Sequence, residues 1–234
     1  MRFKIINTVI IFLLCGALVL TFFGLTSFWY VLTFIILYLL FLLTVSTNVR
    51  FNFFVNSISE NRNIINKQVA ITFDDGPVEN TLEILKVLKK YEVKAGFFCI
   101  GKHIEAQPEI FRKIIEENHL VGNHTYRIAE ETAGIKMNLF RSPFGIVSPK
   151  TQKALQKTGM QSIGWSIRSF DAVLSSEEII LNRIKKRLKP GAVILLHDNN
   201  AKTVNILEQL LLFLKNNQYE VVRPDKLLEI NAYS

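Results

Sequence analysis

Six residues of this chain stand at or just past the ends of apolar runs, five of them Asp or His suited to proton transfer or cation binding and one an Arg. Asp74 and Asp75 follow Ala70-Ile71-Thr72-Phe73, His124 follows Leu120–Asn123, and Arg141 follows Met137–Phe140. Asp171 lies just past Trp165, and His197 closes Ala192–Leu196. Adjacent carboxylates repel, so a double Asp at the end of a buried strand needs a compensating charge. A divalent cation ligated by one of them supplies it, and the free carboxylate is then placed to act as a base on water. Asp75-Gly76-Pro77 alone is ordinary turn chemistry. The pairing of two acids with strands that end in His is the stronger signal, because Asp and His are the residues of metal binding and proton transfer.

The elements that must position these residues alternate strictly. Strands are expected over 69–73, 95–100, 120–124, 137–141, 161–166, 192–196 and 219–222. Helices are expected over 81–91, 108–118, 149–158, 176–188, 203–216 and 224–230, with a turn or two of helix over 128–134. Pro108 suits the first position of its helix, and Ser175 or Ser176 caps the fourth. Near-continuous apolar strands in βαβα order predict a parallel α/β sheet covered by helices, a barrel or an open sheet. Function in both sits at the carboxyl ends of the strands, where the six residues fall.

The amino-terminal part is different in kind. No Asp, Glu, Lys or Arg occurs from Ile5 to Val49. A helix crosses a bilayer with about 20 apolar residues, and this run is roughly twice that. It reads as two transmembrane helices, about 5–23 and 28–47, turning at Gly24–Ser27, with Trp29 and Tyr30 placed as an interfacial belt. A cleaved signal peptide fits less well, since no small-x-small site ends the first run and a second apolar run follows. The expected organisation is a two-helix membrane anchor over 1–49, a polar connector over 50–68 and a catalytic domain over 69–234. Basic residues on both flanks put the soluble part in the cytoplasm by the positive-inside rule.

The formal net charge is +8, from 28 Lys and Arg against 20 Asp and Glu. No arginine-rich run interleaved with aromatics points to nucleic acid, so none is expected as a partner. Cys15 and Cys99 have no partner at a telling spacing and read as small buried hydrophobes.

"TFDDGP" (72–77), "GNHTY" (122–126), "RSPFG" (141–145), "GWSIRSFD" (164–171) and "ILLHD" (194–198) resemble, in order, the five motifs of the polysaccharide deacetylases, the NodB-homology carbohydrate esterases. The resemblance runs from about Val69 to Val222. It implies a distorted (β/α) barrel, a divalent metal (often zinc) and removal of N-acetyl groups from amino sugars. It implies Asp74 as general base, with Arg141 holding it ionised. Asp75 and His124 would be metal ligands, His197 the acid that protonates the leaving amine, and Asp171 the residue that orients that imidazole. The backbone N–H of Phe144 would stabilise the oxyanion, while Trp165 and Leu195 would shape the acetyl pocket. The implied partners are an N-acetylated amino-sugar polymer or a lipid-linked sugar, and the membrane.

The chain departs from that pattern in one place above all. The family's second motif is His-Ser/Thr-x-x-His, and here Ile128 stands at the second His. Only Thr125–Phe140 separates His124 from Arg141, close to the minimum of about 10–12 residues for a parallel crossover. This reads as an internal deletion that removes a ligand. Arg168 and Ala172 also stand where the family often has Asp and Trp. Glu130, Glu131, His119 and His103 are the substitutes to weigh. The glutamates are expected to face solvent, His119 to cap a helix, and His103 to lie in a surface loop. Two functions follow: a metal-dependent deacetylase impaired by the incomplete ligand set, or a catalytically inactive, membrane-tethered sugar-binding or structural relative.

Overall fold

A computed structural model of the chain describes residues 2–125 and 134–233. Two apolar helices come first, α1 (Arg2–Phe22) and α2 (Phe28–Ser46). Both are long and apolar enough to cross a membrane, and their apolar side chains are almost entirely uncovered by protein. They pack against each other, with Tyr38 donating a hydrogen bond to Asn7 Oδ1 at 2.8 Å. Cys15 is exposed on α1, whereas Cys99 is buried as expected.

The rest of the chain is the expected parallel barrel. Its strands are β1 (Ser57–Ile58), β2 (Gln68–Asp74), β3 (Gly96–Cys99), β4 (Leu120–Asn123), β5 (Leu139–Phe140), β6 (Gln161–Ile163), β7 (Ile167–Arg168), β8 (Ala192–His197) and β9 (Glu220–Val221). The helices are α3 (Glu79–Lys90), α4 (Gly101–Ala106), α5 (Pro108–Glu116), α6 (Pro149–Thr158), α7 (Glu177–Lys185), α8 (Lys202–Asn216) and α9 (Pro224–Leu228). Among the described residues the sheet order is β1-β6-β5-β4-β3-β2-β8-β7, all strand ladders are parallel, and β9 adds to β2.

The strand expected over 161–166 stops at Ile163, and a second short strand, β7, follows it from Ile167. Gly164 donates its N–H to Ile58 of β1, and Ser166 donates to Val193 of β8. One chain segment thus changes partners midway, and this change closes the curled sheet on itself. Ser57–Ile58 pairs with β6 and Glu60 bridges to Ala192, so part of the stretch expected as a connector lies in the sheet. The short helix α4 was not anticipated either. The helical turns expected over 128–134 lie almost wholly outside the described residues.

Period-two alternation sorts β2. Val69, Ile71 and Phe73 face the outer layer, in one cluster with Leu85 and Leu88 of the covering helix α3 and with Phe97 of the neighbouring strand β3. Phe73 and Phe97 stack with centroids 5.1 Å apart, and each such fully buried side chain contributes about 1.5–3 kcal/mol. Ala70 faces the interior with Leu139, Trp165 and Leu195, and α9 plugs that interior with Leu227 and Leu228. Thr72 and Asp74 share the inward face with Ala70, and both meet the same guanidinium there.

Candidate active site

Asp74 and His197 are register neighbours on β2 and β8. The next strands outward, β3 and β4, bring His124 to the same end, since Asp74 pairs with Phe98 and Cys99 with Asn123. The six residues singled out from the sequence therefore converge on one end of the barrel. The side chains of Asp74 and Asp75 point toward His124 rather than into bulk water.

Asp74 is buried and takes a hydrogen bond from Arg141 Nη1 at 2.8 Å. Arg141 is 0% exposed. Its remaining donors go to Thr72 Oγ1 at 2.7 Å and to the carbonyls of Gly164 at 2.8 Å and Ile163 at 3.3 Å. The Phe98 ring lies 3.9 Å from the guanidinium carbon. Burial lowers the Arg141 pKa and Asp74 opposes that loss. A guanidinium with these partners stays charged, and the pair is held rigidly.

His197 is fixed as firmly. Its Nδ1 lies 2.8 Å from Asp171 Oδ1, and its backbone N–H donates to Asp171 Oδ2 at 2.7 Å. Asp171 also accepts from Ser169 Oγ at 2.6 Å and Thr203 Oγ1 at 3.0 Å. Burial disfavours the imidazolium, but the Asp171 carboxylate more than offsets it and raises the His197 pKa. The Asp171 pKa is lowered, because its bonds to His197 and Ser169 outweigh burial.

The other side of the cluster holds Asp75 and His124. The carbonyl of Arg141 lies 3.0 Å from His124 Nδ1, so Nδ1–H donates there and Nε2 keeps its lone pair. That Nε2 faces Asp75 Oδ1 at 3.4 Å. Two ligand atoms on a tetrahedral zinc at its usual bond lengths are about 3.3 Å apart. Asn199 Nδ2 donates to the other Asp75 oxygen at 3.2 Å. With no cation bound and the imidazole protonated, Nε2–H would donate to Asp75 instead and hold its carboxyl below the ordinary range, against burial. The residues present thus fit a divalent cation on two sides. Among the described residues, no group of three His, Cys, Asp or Glu could hold a metal ion. Ile128, Glu130 and Glu131 lie outside the described residues.

The two other substitutes are placed differently from expectation. His119 is not a helix cap: it is buried, and its Nδ1 accepts the N–H of Ala95 at 3.1 Å where β3 begins. Burial pushes its pKa down to about 4. His103 is not in a surface loop: it sits on α4 and donates from Nδ1 to the Asp75 carbonyl at 2.6 Å. It braces the backbone of Asp75, whose φ of 79° lies in the left-handed region.

Phe144 and Gly145 are successive left-handed residues, with φ of 57° and 73°. A Cβ on Gly145 would lie 2.8 Å from the Trp165 ring, so this turn needs glycine twice over. The Phe144 side chain is 75% exposed at the rim. Trp165 and Leu195 are buried in the barrel interior below it.

Asp198 was missed by sequence reasoning. It is fully buried, accepts from Thr81 Oγ1 at 2.7 Å, and its Oδ1 has no hydrogen-bond partner. Burial pushes its pKa up to about 7. A Cβ on Gly76 would overlap its carboxylate, which explains the glycine between Asp75 and Pro77. Asn199 and Asn200 were also missed, the latter donating to the Asp171 carbonyl at 2.8 Å. Their adjacency to His197-Asp198 was the available signal.

Comparison with known proteins agrees with this geometry. The polysaccharide deacetylase family model matches residues 61–131. A peptidoglycan-N-acetylglucosamine deacetylase of Bacillus cereus is 31% identical over 188 residues, 69% of this chain and 88% of the relative. A chitooligosaccharide deacetylase of Rhizobium leguminosarum bv. trifolii is 31% identical over 174 residues, 62% of this chain and 81% of the relative. Among solved structures, a peptidoglycan N-acetylglucosamine deacetylase superposes with a TM-score of 0.69 at 27% identity, covering 76% of this chain and 94% of that one. A CE4 family pseudoenzyme mutant with restored enzymatic activity superposes with a TM-score of 0.67 at 26% identity, covering 74% and 71%. With its strand-end carboxylates and imidazoles arranged on this barrel, the chain belongs to the polysaccharide deacetylase family.

Proposed function

We propose that the protein is a metal-dependent hydrolase that removes N-acetyl groups from an amino sugar. The observation that carries this reading is the convergence of two buried, charge-paired systems, Asp74–Arg141 and His197–Asp171, on one strand end beside Asp75 and His124. Asp75 and His124 would hold the divalent cation, zinc by ligand type. When bound, it would act as a Lewis acid on the acetyl oxygen and on water.

The chain's own residues account for the proton movements. Asp74, ionised beside Arg141, takes a proton from the attacking water as its oxygen bonds to the acetyl carbon. The N–H of Phe144 donates to the oxygen that gains charge. His197, kept protonated by Asp171, gives its Nε2 proton to the nitrogen as the C–N bond breaks. The products are acetate and a free amine. Trp165 and Leu195 form the wall behind the acetyl methyl group.

Substrates of the N-acetylated sugar-polymer class are supported by the names of the relatives. Residues 1–49 would be a two-helix membrane anchor, 50–68 the connector and 69–234 the catalytic domain. The uncovered apolar surface of α1 and α2 supports membrane insertion. Lys4 and Arg50 on the two flanks favour a cytoplasmic soluble part.

A second reading, a non-catalytic sugar-binding protein, is favoured by one observation: the cation site has two ligands among the described residues. Acetate release from N-acetylglucosamine oligomers with added zinc or cobalt tests both. Turnover that chelator abolishes and Asp74→Asn removes supports the hydrolase. Sugar binding that persists in chelator with no turnover supports the second reading.

A further inference from the structure

The rim of the site is joined to the base of the apolar hairpin. Val147 donates its N–H to the carbonyl of Ser46, the last residue of α2, at 2.9 Å. A Cβ on Gly145 would lie 3.7 Å from Val49. Val45, Val49, Phe53, Phe54 and Val147 form one buried cluster, against which Phe3, Ile6, Leu42 and Leu155 pack. The loop that follows Arg141 is therefore level with the end of α2. Three large apolar side chains are left uncovered in this region, Phe51 at 51%, Phe144 at 75% and Ile146 at 49% exposure. Helix α6 begins two residues after Val147. It carries Lys150, Lys153 and Lys157, all exposed, and no acidic residue.

A cleft of about 410 Å³ lies between the end of β4, the loop after Arg141 and α6. Its walls include both His124 and Leu155, the latter packing on the hairpin cluster. Phe140, Pro143 and Ala154 make it apolar, and Lys150 is its cation.

We propose that this mouth opens at the bilayer surface and takes an N-acetylated amino sugar carried on a phosphate-bearing membrane lipid. The inference rests on the hydrolase reading and specifies its substrate. Continuity favours a lipid occupant: the cleft shares Leu155 with the cluster at the hairpin base, its rim is apolar where α2 ends, and Lys150, the one Lys or Arg among its described wall residues, is placed for a phosphate. A soluble polymer accounts for neither the apolar wall nor the basic helix beside the hairpin. The sugar reaches the strand ends while its lipid stays in the bilayer, so the substrate need not leave the membrane.

The test uses the full chain in vesicles. Trp replaces Ile146 in a Trp29→Phe background, with Phe51→Trp as a second probe and Ile65→Trp as control, each read as the difference from the Trp29→Phe parent, whose remaining emission comes from buried Trp165. Ile65 is 92% exposed before the start of β2, at the opposite end of the barrel. Brominated phosphatidylcholine should quench emission from the probes at 146 and 51 and leave the probe at 65 unchanged. Equal quenching at 146, 51 and 65 overturns the proposal. In parallel, acetate release is compared between N-acetylglucosamine on a polyisoprenyl phosphate in the vesicles and the soluble tetramer. The lipid-borne sugar should be preferred. Lys150→Ala and Lys153→Ala should each lower its rate about fivefold while sparing the tetramer. Equal rates, or equal losses on both substrates, overturn the proposal. If neither sugar releases acetate, the hydrolase reading fails, and the quenching alone decides whether the mouth lies at the membrane.

Discussion

The two sides of the strand-end cluster are built to different degrees. On the proton-handling side, Asp171 binds His197 twice and takes two hydroxyls besides, while Arg141 spends its donors on Asp74, Thr72 and two carbonyls. On the cation side, Asp75 and His124 face each other at 3.4 Å, braced by Asn199 and by the Arg141 carbonyl. The first side is held by charge-assisted bonds that need no cation. The second is a pair of ligands aimed by their outer bonds, and such bonds persist whether or not a third ligand exists. The difference teaches that the Asp74–Arg141 and His197–Asp171 pairs are held by protein partners alone, whereas Asp75 and His124 are aligned without a third such group among the described residues.

The largest expected effect breaks the first side. Arg141→Leu leaves the Asp74 carboxylate buried and unpaired, which should destabilise the barrel by about 3–5 kcal/mol. Chemical unfolding of the soluble part measures this. His124→Ala should cost much less, and equal losses would erase the contrast between the two sides.

Acid stability separates both sides from the core. The His119 pKa falls from about 6.5 unfolded to about 4 folded. The folded state therefore binds fewer protons, so stability is full above pH 6.5 and is lost as pH falls toward 4. The loss should total about 3 kcal/mol. His119→Gln should flatten that limb of a stability–pH curve without touching the site. An unchanged limb would return the acid sensitivity to the cluster itself.

The cation side is sharpened by restoring what is absent. Ile128→His should raise zinc affinity at least about 10–100-fold, by analogy with the loss of a metal's supporting partner. Isothermal titration with zinc reads it. The same titration on Asp171→Asn should match the unaltered chain, because that residue serves the other side.

The smallest effect is a shift within the proton side. In Asp171→Asn only the charges of Asp74 and Asp75 still oppose the burial of His197, so its pKa should drop. Histidine NMR titration measures it. In the unaltered chain, the stability gained from charged His197 is complete below the unfolded value near 6.5. It is lost as pH rises through the raised folded value.

Much of this was legible in the residues. The order of apolar strands and helices follows from local pattern, and the six chemical residues stand out by their place after apolar runs, whereas the alternation of inward and outward faces along β2 is seen only in its packing. Ser57–Ile58 was not legible, because two residues hold no pattern and gain their structure from β6. The break at Gly164–Ser166 was not legible either, since an apolar run does not reveal a change of partner. His119 and His103 were misplaced for a related reason. A single imidazole looks alike whether it caps a helix, plugs a strand start or braces a neighbour's carbonyl.

The sequence by itself determined the alternation of strands and helices, the family motifs and the apolar length of α1 and α2, because each depends on residues near one another in the chain. Only the tertiary structure decided which carboxylate meets Arg141, which faces His124, and that the loop after Arg141 is bonded to the end of α2. Those are contacts between residues far apart in sequence, fixed by strand register and barrel closure, and no local pattern encodes their distances.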